Sequence, residues 1–191
     1  MYYQPLEICF RLPQWLQEYS AQYQPTPGDR QKMRFVVEAA RENIIQKTGG
    51  PFGAGIFNIE TGELIALGVN LVTSENLFFL HAEMVAIAIA QHKFNQDNLS
   101  TANLPALELI ASTEPCGMCL GGIHWSNLKR VVSGARGADA EAIGFDEGPK
   151  PSNWQIALEQ RGIIVKTEVE LAFAQEVLQF YQAQQGPIYN T

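Results

Sequence analysis

A chain of 191 residues, 46% of them hydrophobic, is long enough to fold as one domain around a sizeable core. Thirteen Lys plus Arg against twenty Asp plus Glu leave a net charge of -7, which withholds general attraction to a polyanion and makes nucleic acid the poorer expectation as substrate. Three cysteines provide no disulfide framework, no apolar run is long enough to span a membrane, and Met1-Tyr2-Tyr3-Gln4 opens no secretory signal, so the cytoplasm is the expected setting.

Residues 1–28 are rich in Gln, Tyr and Pro and read as an N-terminal extension, with a short helical turn at Trp15-Leu16-Gln17-Glu18 and a boundary at Pro25-Thr26-Pro27-Gly28. The second unit, 29–191, starts with Asp29 as the N-cap of a helix whose Met33, Val36, Val37, Ala40 and Ile44 recur at helical spacing. Gly49-Gly50-Pro51 ends it. Strands are expected over 52–59 and 64–70, joined by a turn at Glu60-Thr61-Gly62. The stretch 71–80 is less regular. From position 81, Ala82, Val85, Ala86, Ile87, Ile89 and Ala90 predict a helix that is apolar on more than one face. A strand over 107–112 leads to Pro115, which punctuates the passage into another helix. Short strands at Val131-Val132 and Ile163-Ile164-Val165 and a terminal helix over 168–181 complete an α/β/α arrangement around a largely parallel sheet.

The chemistry concentrates in His81-Ala82-Glu83 and Pro115-Cys116-Gly117-Met118-Cys119. One imidazole and two thiolates suit Zn2+, and three protein ligands leave a fourth position for water, as a catalytic site requires. Zinc lowers the pKa of its water from about 15.7 towards about 7. Glu83 is then free to move protons. The plainer reading is a closed structural zinc site, which lacks an obvious fourth ligand. Cys9, His92 and His124 need no metal role: a single cysteine packs among apolar residues and a lone histidine sits on a helix.

His-x-Glu followed by Pro-Cys-x-x-Cys resembles the signature of the zinc-dependent cytidine deaminase superfamily. Pro51-Phe52-Gly53-Ala54, Gly68-Val69-Asn70, the run 114–122 and Glu141-Ala142-Ile143-Gly144-Phe145-Asp146-Glu147 resemble its bacterial guanine deaminase branch. The resemblance implies a cytidine deaminase-like three-layer fold with a five-stranded mixed sheet, and hydrolysis of guanine to xanthine and ammonia, with ammeline as a second substrate. It implies His81, Cys116 and Cys119 as metal ligands and Glu83 and Glu147 as catalytic carboxylates. Asn70 would meet the purine edge, Phe52 or Trp125 would pack on its face, and Asp146 and Tyr189 would help to close the pocket. Blander roles compete: Asn70 caps a turn, Phe52 is core, Asp146 and Glu147 form a solvated loop, and Tyr189 lies in a tail. The branch also implies a homodimer, with the C-terminal segment around Ile188-Tyr189-Asn190 exchanged in some members. Cytidine or deoxycytidylate deamination, transfer-RNA adenosine deamination and a non-catalytic zinc-stabilised interaction module stand as alternatives.

Overall fold

The computed structural model describes residues 3–189, so Asn190 of the terminal motif and the opening Met1-Tyr2 lie outside the described residues. The chain runs through α1 (Gln14–Ala21), α2 (Asp29–Ile45), the hairpin β1 (Gly53–Asn58) and β2 (Leu64–Val69), the single turn α3 (Val72–Glu75), and α4 (Ala82–Phe94). It continues through β3 (Leu107–Thr113), α5 (Gly117–Trp125), β4 (Arg130–Ala135), α6 (Gly137–Glu141), α7 (Trp154–Glu159), β5 (Ile164–Lys166) and α8 (Leu171–Ala183).

The sheet has the order β2-β1-β3-β4-β5. β1 is antiparallel to both neighbours, whereas β3, β4 and β5 pair in parallel, so four strands share one direction and β1 alone is reversed. Five strands, mixed and largely parallel in direction, form the middle of three layers. One outer layer holds α2 and α8, which bury Met33, Val36, Val37, Ala40, Val177 and Leu178 against the sheet. The other holds α4, α5 and α7, whose Ala82, Ala86, Ala90, Ile123, Trp154 and Leu158 cover the opposite face. Burial on both faces is why β3 reads as apolar from Leu107 to Ala111 around its single charge, Glu108.

Asp29 differs from its expected role. Gly28 occupies the N-cap of α2, and Asp29 is the first helical residue. Its carboxylate pairs with Arg130 at 2.6 Å and Lys166 at 2.7 Å, which lowers its pKa chiefly through the hydrogen bond from Arg130. The helical turn at Trp15 is longer than its sequence suggests because tertiary contacts hold it: Trp15 Nε1 donates to Thr48 Oγ1 at 3.0 Å, and Tyr19 donates to the Phe35 carbonyl at 2.8 Å.

α4 is seated on β2 by an absent side chain. A Cβ on Gly68 would lie 2.4 Å from the Ala82 carbonyl oxygen and 2.6 Å from the Ala86 nitrogen, so the helix backbone rests directly on the strand. β2 is an edge strand, and on that edge Lys93 Nζ donates to the Ile65 carbonyl at 3.1 Å.

At the end of the sheet where β3 and β4 begin, Lys32, at 1% exposure, pairs with Glu108, at 0%, and Glu108 also accepts from Arg130. Two fully enclosed charges are tolerable only while paired. Glu108→Ala therefore leaves the Lys32 ammonium stranded and should cost about 3–5 kcal/mol of unfolding free energy. Urea titration followed by circular dichroism measures it, and adding Lys32→Met to Glu108→Ala should recover part of the loss.

Candidate active site

Two helices begin at one point, at the C-terminal end of β3. His81 is the N-cap of α4 and Cys116 the N-cap of α5, and neither side chain makes the usual capping hydrogen bond. An N-cap residue ordinarily spends its side chain on an orphan backbone N–H. Here both side chains turn towards each other. His81 Nδ1 lies 3.4 Å from Cys116 Sγ and 3.6 Å from Cys119 Sγ, with Cys119 one turn into α5 and fully buried. All three donor atoms fall within 4.8 Å of one another, and they are the one such group among the described residues. Tetrahedral zinc with ordinary Zn–N and Zn–S lengths separates nitrogen from sulfur by about 3.6 Å. The donor set and its spacing fit zinc.

Electrostatics favour the charged ligand form. The hydrogen bond from Cys119 lowers the Cys116 thiol to about 4, helped by His81, while Cys119 is raised by that same pairing and by burial. The first thiolate therefore forms at Cys116, at the positive end of α5. Glu83, in the first turn of α4 and 7% exposed, is raised to about 7 by burial and then by the charge at Cys116. A carboxyl held there accepts and returns a proton near neutral pH.

An enclosed pocket opens off this cluster, and Asn70, Phe52, Phe145, Asp146, Glu147 and Tyr189 are among its walls. Asn70 caps a turn and also stands on the pocket wall. Its Oδ1 accepts from the Val72 backbone N–H at 3.2 Å, capping a turn, and its Nδ2 is buried without a hydrogen-bond partner among the described residues. The Tyr189 hydroxyl is likewise buried with no close hydrogen bond; it faces the Asn70 side chain, which tempers its pKa slightly, while burial drives that pKa well above the ordinary tyrosine value. Phe52 and Tyr189 each meet the Phe145 ring edge-on, at 4.9 and 5.0 Å between centroids. Asp146 reaches the pocket from an exposed position and accepts from the Gly148 N–H at 2.7 Å. Glu147, 8% exposed, is raised by burial, against which Lys150 pulls it back.

Trp125 is elsewhere. It stands 77% exposed at the end of α5, outside the pocket walls. Six residues beyond Cys119 is about 240° around a helix, so the indole points away from the buried ligand. The resemblance placed Phe145 with Asp146 and Glu147 in the closure of the pocket, and Phe145 does line it; Glu114, which also lines it, had no assigned role although it lies inside a motif that drew attention. Ser112, also unassigned, accepts from the Gly53 N–H at 3.0 Å and ties the start of β1 to β3 beside the pocket.

The pattern of the family described as the cytidine and deoxycytidylate deaminase zinc-binding region matches residues 27–135, which is more than half of the chain and contains the entire donor set. The chain belongs to this deaminase family. It is a zinc-dependent hydrolase with a cytidine deaminase-like fold. It is 39% identical over 115 residues to the guanine deaminase of Bacillus subtilis, covering 60% of this chain and 69% of that one. A solved guanine deaminase from Nitrosomonas europaea superposes with a TM-score of 0.90 at 39% identity, covering 95% of this chain and 99% of the other. A structure of NE0047 in complex with 2,6-diaminopurine aligns with a TM-score of 0.89 at 42% identity, over 94% of this chain and 95% of that one. These structural likenesses extend beyond position 135, into the segment that carries Phe145 and Glu147.

Purified protein should hold about one zinc per chain. His81→Ala, Cys116→Ala and Cys119→Ala should each lower that stoichiometry severalfold, whereas Glu83→Gln should retain it. Elemental analysis of folded, desalted preparations reads both outcomes.

Proposed function

We propose that this chain hydrolyses guanine to xanthine and ammonia. The observation that carries the reading is the buried Asn70 Nδ2, which faces Tyr189 yet makes no close hydrogen bond among the described residues, on the wall of the same pocket as Glu83, His81 and Cys116. A buried donor without a partner is costly, and a ligand that supplies an acceptor removes the cost. The purine carbonyl or ring nitrogen is such an acceptor. The likeness to guanine deaminases and to a complex with a diaminopurine supports the same choice.

Zinc, when bound, activates a water molecule for attack. His81, Cys116 and Cys119 hold the metal, and Glu83 takes the proton of the attacking water as oxygen bonds to purine C2. Glu83 then returns a proton to the adjacent ring nitrogen. Glu147 passes a proton to the exocyclic nitrogen and is reprotonated by the remaining proton of the added hydroxyl, so that the C2–N bond breaks, ammonia leaves and C2 becomes a carbonyl. Phe52 packs on the base, Asn70 holds its edge, and Asp146 and Tyr189 close the pocket. Ammeline carries a similar amino-bearing polar edge and fits the same reading as a second substrate.

We also assign the protein to a reducing compartment such as the cytoplasm, where its thiols stay available to metal. Homodimerisation belongs to the same proposal. In the single chain Tyr189 closes its own pocket, and an exchanged tail would make the same contacts between two chains.

Guanine incubated with zinc-replete enzyme should yield xanthine by mass and one ammonia per turnover; no product from guanine or ammeline sinks the reading. Asn70→Ala should weaken guanine binding about tenfold or more by removing the partner of the purine edge. Glu83→Gln should leave binding intact and reduce single-turnover chemistry by at least about 10²-fold. Light scattering over a concentration series should give the mass of a dimer, and a monomer mass throughout contradicts the assembly.

A further inference from the structure

Glu147 is a wall shared by two cavities. On one side lies the pocket, which Glu114 also lines; on the other is a polar groove bounded by Glu114, Gly137, Glu141, Lys150 and Trp154. Among the described residues lining either cavity, Lys150 is the one Lys or Arg, set amid the carboxylates of Glu83, Glu114, Glu141, Asp146 and Glu147.

Its ammonium is held from three directions. It lies 3.0 Å from Glu114 Oε2 and 3.3 Å from Glu147 Oε2, and 5.2 Å from the centroid of the buried Trp154 ring. Glu114 Oε2 in turn accepts from the Gly137 backbone N–H at 3.1 Å, which anchors the far end of the bridge to the start of α6. Side-chain exposures of 12% for Lys150, 15% for Glu114 and 9% for Glu147 set this cluster apart from solvated surface pairs, which contribute little. The backbone is fitted to it as well. A Cβ at Gly137 would lie 2.8 Å from Lys150 Nζ and 3.1 Å from Glu147 Oε2, so that position is left open for the pair.

We infer that Lys150, itself fixed by Glu114 and Trp154, is a positioning residue that holds the Glu147 carboxylate at the pocket wall for proton delivery to the departing amine. The inference rests on the proposed role of Glu147. Lys150 meets Glu147 from the groove side and is not among the residues that line the pocket. One ion pair to Oε2 fixes the plane of the carboxylate. Without it a carboxylate on a loop between Gly148 and Gly144 keeps its chemistry and loses its aim, and small misplacement of a proton carrier is expensive in rate. The expected signature is a fall in turnover with little change in substrate affinity.

The test uses zinc-replete, full-length enzyme with guanine. Lys150→Met should lower kcat by about 10²-fold while KM moves by less than about threefold, and Lys150→Arg should regain most of the loss. Because Lys150 acts through Glu147, adding Lys150→Met to Glu147→Gln should produce no further fall. A Lys150→Met enzyme with wild-type kcat, or losses from Lys150→Met and Glu147→Gln that multiply, overturns the inference. Should Lys150→Met fail to fold, Glu114→Gln, which loosens the lysine and preserves shape, takes its place in the same cycle with the same two overturning outcomes. A wild-type enzyme inactive on guanine defeats the guanine reading itself, which separates the two failures.

Discussion

Everything at the reactive end of this molecule depends on two helices starting within a few ångströms of one another. His81 and Cys116 stand where capping residues stand, and their side chains serve the metal site instead of the helices. That convergence needs α4 to lie hard against β2, which Gly68 permits, and needs β3 to deliver the chain at Thr113 to the Pro115 turn. The positive ends of both helices then point at a group of thiolates and carboxylates. Bringing so many acidic groups together inside a protein is unfavourable, and zinc, the helix ends and Lys150 are the countercharges that make it tenable.

The molecule separates its electrostatic duties by position. Lys32, Arg130 and Lys166 share the carboxylates of Glu108 and Asp29 in one connected set at the end of the sheet where β3 and β4 begin. Opposite, beyond the ends of those strands, the carboxylates of Glu83 and Glu147 are raised by burial rather than neutralised in a closed network. The first set fixes the register of α2 on the sheet. The second set keeps its raised protonation, Glu147 partly offset by Lys150, at a cost in stability that the first set and the core offset.

Much of this was legible in the sequence because it rests on local signals. The helical recurrence of Met33, Val36 and Ala40, the turn at Glu60-Thr61-Gly62, and the ligand spacing in Cys116-Gly117-Met118-Cys119 are written within one or two turns of chain. Asn70 yielded half its meaning: its place at a strand end suggested a cap, and the fold shows Oδ1 capping the turn at Val72 while Nδ2 stays buried without a close hydrogen bond. What stayed hidden depends on residues far apart in the chain. Asp29 looks like a cap until Arg130 and Lys166 arrive across the sheet. Trp125 looked like a wall of the pocket because it follows the cysteines, yet helix phase carries it outward. Lys150 carried no motif at all, since its importance comes from Glu114 and Trp154, which the loop after Glu147 brings beside it.

The two borders of the sheet bear on how the protein behaves when crowded. A long, flat edge strand is a template on which another chain can add a strand and begin aggregation. Here β5 offers three residues, and β2 is guarded by Lys93, whose ammonium already occupies the Ile65 carbonyl. A chain approaching β2 would have to dislodge that cation before forming its first ladder bond. The fold thus carries its own resistance to fibril-like association, built from one short strand and one lysine.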